Sequence, residues 1–442
     1  MILALFALLL VVAEYFGLLS TRSPRTPVLP AWSWVATLLA SYAIQLGIVL
    51  YAAQSQFPVD AWRSQMPIPV LDDRSVPMAN PDLLSGAMLA LAALQAYALL
   101  ALYRAQPGRK TLWIGCGIML AMSFFAPALI SFDLYGYVHD AVLGYTAYNP
   151  PNVPFQGDYR FFDLWWQGPV PSFYGPLWPL IVRAATVLGP TLFWKIVSLR
   201  ALSVLLYVAL LFTLRALRLP RRILVVAALN PGMMLQYVAN GHNDMIAIVL
   251  LTLSVLFVRT RLPLALALIA IAGLVKIPYL ALGMPVLAAV RPLPARVAWA
   301  ALTIAAAAAL SWFGGGAPYV HALLGHVGQK APSIAQYASG AVALILIAMA
   351  FFGMRRYRTA PWILPTISSW IFAWYFIWGL PYALARHRVA GFLLVAFPFA
   401  AMLVESSFQR WWVTFVVIPA VALVWFFTPA KGEAPARAKA AT

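Results

Sequence analysis

The feature that most constrains this chain is a succession of apolar runs, each approaching the about 20 residues a helix needs to cross a bilayer. They fall at Ile2–Leu19, Trp32–Ala53, Leu83–Tyr103 and Thr111–Ile130, then at Leu192–Leu214, Ile223–Ala239, Asp244–Val258 and Leu262–Lys276. More follow at Tyr279–Val290, Val297–Phe313, Ala335–Phe352, Pro361–Leu380, Val389–Val404 and Trp411–Phe427. Only 10% of the residues are charged, against roughly 25% in soluble domains. The expected fold is an all-α polytopic membrane protein of about 13–14 spans. Leu262–Lys276 and Tyr279–Val290 are short and separated by Pro278, so they form either two spans or a hairpin that stops short of crossing.

The net charge of +18 raises nucleic acid as a partner, but its distribution argues against it. Lys and Arg sit mainly in short loops between apolar runs, as the positive-inside rule requires, and form no basic stripe interleaved with exposed aromatics. Taking Arg22 and Arg25 as cytoplasmic, alternate loops carry Arg109 and Lys110, Arg221 and Arg222, Arg259 and Arg261, and Arg355 and Arg356. The opposite loops hold Asp60, Asp72, Asp73, Asp82, Asp133, Asp140, Asp158, Asp163 and Asp244. Arg386 and Arg388 fall on this outer side, against the trend. The first helix lacks the basic n-region of a secretory signal, which favours retention, with cleavage near Ser20 as the alternative. The chain's one cysteine, Cys116, rules out an intrachain disulfide. Four regions result: N-terminal transmembrane helices over 1–130, an outer loop over 131–190, a helix bundle over 191–428, and a disordered Ala-, Pro- and charge-rich tail over 429–442.

The outer loop is the longest connection and is not polar filler. It carries Phe161, Phe162, Trp165, Trp166, Phe173, Tyr174 and Trp178, rings suited to the water–lipid interface. Gly-Pro and Pro-Pro pairs divide it, so it is expected to hold short helices along the outer surface, with Tyr174–Leu188 dipping towards the bundle. A long loop with structure of its own is usually functional.

It opens with SFDLYGYVHDAVLGYTAYNPP, where Asp133 and Asp140, the latter beside His139, meet the end of an apolar run. An ordinary solvated loop is the bland alternative. The motifs of soluble enzymes are missing: no P-loop, GxGxxG, HExxH, CxxC or GxSxG occurs, nor an Asp-x-Asp to hold a metal against a nucleotide sugar. No cofactor is expected. Lys195 and Arg200 share one span without an acid and fit an anionic ligand, with snorkelling as the alternative for Lys195. The turn Asn240–Asp244, NGHND, sets His242, Asn243 and Asp244 where a helix begins; Asp244 also reads as a plain N-cap. Lys276 ends an apolar run and either snorkels or holds a phosphate as a point charge. Acids and cations gathered on one membrane side suit transfer to a hydroxyl, a carboxylate taking the proton and cations stabilising a phosphate leaving group. With no nucleotide donor outside the membrane, the donor would be carried on a lipid.

At these residues the chain resembles the GT-C superfamily of membrane glycosyltransferases that use polyprenyl-phosphate sugars, and within it the bacterial α-mannosyltransferases of mannan-type lipoglycans. FDLYGYVHDAVLGYTAYNPP is similar to the first catalytic loop of that family, YGPLWPL to its Tyr-x-Pro-Leu-Trp segment, LNPGMMLQYVANGHND to its Asn-Pro and His-Asn-Asp turn, and WYFIWGLP to its late Trp-Tyr element. The resemblance implies a GT-C-type helix bundle in the bacterial inner membrane with its site on the extracytoplasmic side. It implies inverting, metal-independent transfer of a hexose, mannose being expected, from a polyprenyl-phosphate donor to a glycan or glycolipid acceptor, with membrane lipids around it and no nucleic acid. Asp133 would be the general base. Lys276, His242, Arg386, Arg388 and Lys195 would face the lipid phosphate. Asp140, Tyr135, Tyr137, Asn149, Tyr174, Asn243, Asp244, Trp374 and Tyr375 would contact the sugar or acceptor. Two features depart from the pattern: Pro151 follows the Asn-Pro where an aromatic is usual, and the first helix is additional. The alternative class is a transporter or flippase binding an anionic or lipid-linked cargo with the same groups, although the internal repeats common in transporters are not found.

Overall fold

The computed structural model describes residues 29–56, parts of 87–105, 106–126, 133–150, 171–328 and most of 344–353. The expected first helix, the spans from Pro361 onward and the C-terminal tail lie outside the described residues. Every regular element within them is helical. Two long helices come first, α1 (Ala31–Gln56) and α2 (Arg109–Phe125), which pack together. A polar pair joins them in the apolar interior, where an unmade hydrogen bond is costly: the Tyr42 hydroxyl lies 2.6 Å from Ser123 Oγ. Gln95, from the stretch between them, donates to Gln45 at 2.8 Å.

The segment expected as loop begins with a helix, α3 (Asp133–Leu143), followed by a 3₁₀ turn, Gly144–Tyr148. Leu134 to Ala141 are all buried, so this helix is enclosed by protein. The next, α4 (Leu177–Thr186), packs between α3 and α5 (Leu192–Ala216) with Trp178 buried, the inward course expected of this stretch. Thr191 caps α5, its hydroxyl accepting from the Trp194 N–H, and Leu205 and Phe212 remain exposed on its flank.

The run expected as one span over Ile223–Ala239 is bent. It comprises α6 (Arg221–Ala228), α7 (Pro231–Met234) and a π-helical turn, Leu235–Ala239. Proline disfavours helical geometry in the residue before it, and Asn230 is accordingly extended, its side chain capping Met233 at 3.1 Å. The two halves meet at 51°. After the turn come α8 (Asp244–Phe257), α9 (Leu262–Val275) and α10 (Ile277–Gly283), which continues into a 3₁₀ stretch, Met284–Ala289. The last, α11 (Leu293–Gly328), bends at Gly316 with Pro318 just beyond.

Among the described residues three helices are long and apolar enough to cross a membrane: Ala31–Ile48 within α1, Leu192–Ala216, and Leu293–Gly325 within α11. The bent pair Arg221–Ala228 and Pro231–Ala239 makes a fourth if it is one span. At 14 residues each, α8 and α9 reach about 21 Å against a hydrocarbon core of about 30 Å. Among the described residues the fold is therefore almost entirely helical, with three or four helices long and apolar enough to span a membrane, as in a helical membrane protein, while α8 and α9 are too short to cross unaided.

Candidate active site

Asp133 is the first residue of α3, and Tyr137 and Asp140 follow it at positions that share one helix face. The Tyr137 hydroxyl donates to Asp133 Oδ2 at 3.2 Å, and His242 Nδ1 lies 3.2 Å from the same oxygen. An ionised carboxylate only accepts, so His242 carries its proton on Nδ1. The His242 side chain is fully enclosed whereas that of Asp133 is 29% exposed, which makes the acid the member of the pair that solvent or a ligand reaches. Burial pushes the Asp133 carboxyl up, but the His242 hydrogen bond and charge, the Lys276 charge and the Tyr137 hydrogen bond together outweigh it and hold the group below 3.8. Tyr137 is buried and moves well above 10, so it acts as a neutral donor.

The turn that delivers His242 is built from the π-helical segment. Asn240 donates to Gln236 Oε1 at 3.0 Å, and its N–H reaches Leu235 O at 2.9 Å. Gly241 has φ of +63°, and a Cβ there would stand 2.4 Å from Leu134 Cδ1. Glycine thus satisfies both the left-handed backbone and the close approach of the turn to α3. The Asn243 N–H donates to the Tyr137 hydroxyl at 3.4 Å, and Asp244 accepts from the Tyr279 hydroxyl at 2.6 Å. Asp244 is inside α8, whose N-cap is Asn243, so its carboxylate ties α8 to α10 and does not cap its own helix.

Lys276 stands at the break between α9 and α10 in extended backbone, with Pro278 two residues on. Its ammonium is 5.5 Å from the Tyr174 ring centre, 5.9 Å from Phe173 and 6.0 Å from Tyr279, and it feels the charges of Asp133 and Asp244. Two of these rings come from a strap, residues 171–176, that is fastened along its length. The Ser172 N–H donates to Ala147 O at 2.8 Å, and its hydroxyl donates to Asp140 Oδ2 at 2.7 Å. Tyr148 donates to Tyr174 O at 3.1 Å, and the Gly175 N–H to Val275 O at 2.9 Å. A Cβ on Gly175 would lie 2.1 Å from Leu274 O, so the strap passes against α9 only because this residue has no side chain.

Asp140 differs from Asp133 despite sharing its face. Burial, helped by the charge of Asp133 and opposed by the Ser172 hydrogen bond, pushes it up to about 7. Burial pushes His139 down to about 4. Its Nδ1 is 3.9 Å from Asp140, but near neutral pH that contact joins a neutral imidazole to a partly protonated acid.

Residues 32–291 match the MptA/MptB family model, described as alpha-(1->6)-mannopyranosyltransferase, N-terminal domain. That interval is more than half of the 442 residues. The chain belongs to this family. The MptA/MptB proteins are GT-C-type glycosyltransferases, and membership carries that activity class with it, fed by a polyprenyl-phosphate sugar. No curated protein and no solved structure matches the chain. The matched interval runs from α1 to just before α11 and so contains Asp133, Tyr137, Asp140, His242 and Lys276.

Other expected site residues of this MptA/MptB chain lie elsewhere. Tyr135 is buried, and burial pushes it up to about 12 against the opposing charge of Arg200. Asn149 is exposed at the end of the 3₁₀ turn. Lys195 donates to Thr186 O at 3.4 Å, at the C-terminal end of α4. Arg200 is fully buried and donates to the carbonyls of Phe124 and Ala239, where the sequence suggested an anionic ligand. Arg386, Arg388, Trp374 and Tyr375 lie outside the described residues. Sequence reasoning passed over Tyr279 and Ser172 as site-forming residues. Their signal was weak: a tyrosine after Ile-Pro, and a serine between Pro171 and Phe173.

Proposed function

We propose that this chain transfers a hexose, mannose by its family, from a polyprenyl-phosphate donor to a hydroxyl of a glycan or glycolipid on the extracytoplasmic side, with inversion and without a metal ion. The observation that carries the reading is the grouping of Asp133, His242 and Lys276: an accessible carboxylate fixed by a buried imidazole, within electrostatic reach of an ammonium held among aromatic rings. The outer placement rests on the acid-rich loops that carry these residues, and the surrounding fold we infer is a GT-C-type bundle of about 13–14 spans.

In the reaction the ionised Asp133 takes the proton of the acceptor hydroxyl as that oxygen attacks the anomeric carbon. The bond from that carbon to the phosphate oxygen breaks, and its electron pair leaves on the polyprenyl phosphate. Attack opposite the leaving group inverts the anomeric centre. Lys276 supplies positive charge where the departing phosphate gains negative charge, while His242 and Tyr137 hold the Asp133 carboxylate in the orientation it needs. The rings of Phe173 and Tyr174 offer faces for a sugar or prenyl chain beside Lys276.

Reconstitution with a radiolabelled polyprenyl-phosphate mannose and a mannan-type lipoglycan acceptor tests this directly. Label moving into a new glycoside is the expected result. Label crossing the bilayer still attached to its polyprenyl phosphate, with no glycoside formed, would make the chain a transporter.

A further inference from the structure

A buried charge with no acid beside it is costly, and Arg200 is such a charge among the described residues: it sits in α5 with 1% of its surface exposed. Its two terminal nitrogens are committed to different parts of the chain. Nη1 donates to Phe124 O at 3.0 Å, at the C-terminal end of α2. Nη2 donates to Ala239 O at 2.7 Å, at the last residue of the π-helical turn. Both carbonyls belong to helix ends, where the last C=O groups have no partner within the helix and the helix dipole favours a cation.

The positions of these two ends matter. Phe124 is the penultimate residue of α2, and Ala239 lies three residues before His242. The turn after Ala239 presses on the first turn of α3 through Gly241 and Leu134, and Ser203, one turn along α5 from Arg200, lies 3.8 Å from the same Gly241 Cβ position. We propose that Arg200 is a positioning residue for glycosyl transfer: its planar guanidinium ties the C-terminal end of α2 to the end of the π-helical turn that leads into His242, and by fixing that turn against Leu134 of α3 it sets the contact between His242 and Asp133. Arginine suits this role because its fork addresses two carbonyls in fixed directions, whereas a lysine ammonium on a flexible stem does not.

The proposal rests on the transferase reading above, and a double-mutant cycle separates the two. Arg200→Lys and His242→Gln are made singly and together, and transfer from polyprenyl-phosphate mannose is measured on purified full-length protein. Arg200→Lys is expected to lower kcat by about 10- to 100-fold with the donor KM little changed, and to cost less than about 2-fold once His242 is already Gln. Equal losses in both backgrounds would overturn the positioning role. An inactive wild-type protein would instead sink the transferase reading. If Arg200→Lys does not purify folded, Arg200→Gln is read the same way, and failure of both to fold would assign Arg200 to the fold alone and overturn the proposal.

Discussion

His242 and Asp133 stand 109 residues apart in sequence, yet their side chains meet at 3.2 Å. The contact has a fixed polarity. The imidazole is enclosed and the carboxylate is partly open, so the histidine tunes and orients while the acid faces outward. Burial by itself would leave Asp133 protonated more readily than an ordinary carboxyl; its partners reverse that.

Removing the histidine therefore has a predictable sign. His242→Gln deletes the hydrogen bond and charge that depress Asp133, so the carboxyl titrates at higher pH. Base catalysis needs the ionised form, and the acidic limb of the pH–rate profile should move upward in pH. A limb that stays in place would show that Asp133 does not control it.

Lys276 should act on the donor. Lys276→Met removes the ammonium whose charge reaches Asp133 and which lies within 6.0 Å of three ring centres. The expected loss in kcat/KM for a polyprenyl-phosphate donor is about 10²–10³-fold, with folding preserved because methionine fills a similar volume. Lys276→Arg should recover part of the loss, since a guanidinium keeps the charge and stacks on aromatic rings but spreads that charge over a larger planar group. Steady-state titration of the donor decides it, and unchanged kinetics would remove Lys276 from the phosphate site.

The neighbours His139 and Asp140 make opposed contributions to stability. Asp140 rises from 3.8 to about 7 on folding, so its contribution is fully present below 3.8 and is lost as pH rises through about 7. His139 falls from 6.5 to about 4, so its contribution is present above 6.5 and is lost as pH falls through about 4. Between those limits the two slopes oppose. Asp140→Asn should expose the histidine slope, with Tm in detergent falling on acidification below pH 6.5. His139→Gln should expose the other, with Tm falling as pH rises towards 7. Variants that track the wild-type pH dependence would contradict this account.

The strap depends on Gly175. A methyl there would meet the Leu274 carbonyl at 2.1 Å, and backbone cannot swing aside as a side chain can. Gly175→Ala should cost about 1–3 kcal/mol, read as a lower Tm, and should lift Phe173 and Tyr174 from Lys276, so that activity falls in protein that remains folded. Wild-type Tm and activity would show that the strap is not held this closely.

Much of this was legible in the sequence, for reasons that differ by element. Among the described residues, runs such as Leu192–Leu214 became helices near their expected limits, here Leu192–Ala216, because the length of a run states the solvent it must meet. Asp133, His242, Asn243 and Lys276 could be singled out because polar residues at the ends of apolar runs are conspicuous. Their pairing could not: nothing local ties residue 133 to residue 242, and the bend at Asn230-Pro231 that brings the turn round depends on what it packs against. The same holds for Arg200, whose carbonyl partners are backbone and leave no trace in residue identity. The burial of α3 was also hidden, since DLYGYVHDAVL has the polarity of a surface loop until Tyr137 pairs with Asp133 and Ser172 with Asp140.

The central claim is that Asp133 takes the acceptor proton. Asp133→Asn keeps the shape of the side chain and removes its basicity. The decisive measurement is the rate at which this variant, reconstituted and confirmed as folded by its Tm, moves labelled mannose from polyprenyl phosphate to acceptor. A loss of about 10²–10⁴-fold in kcat with donor binding retained is expected; wild-type turnover in folded Asp133→Asn would show that Asp133 is not the base.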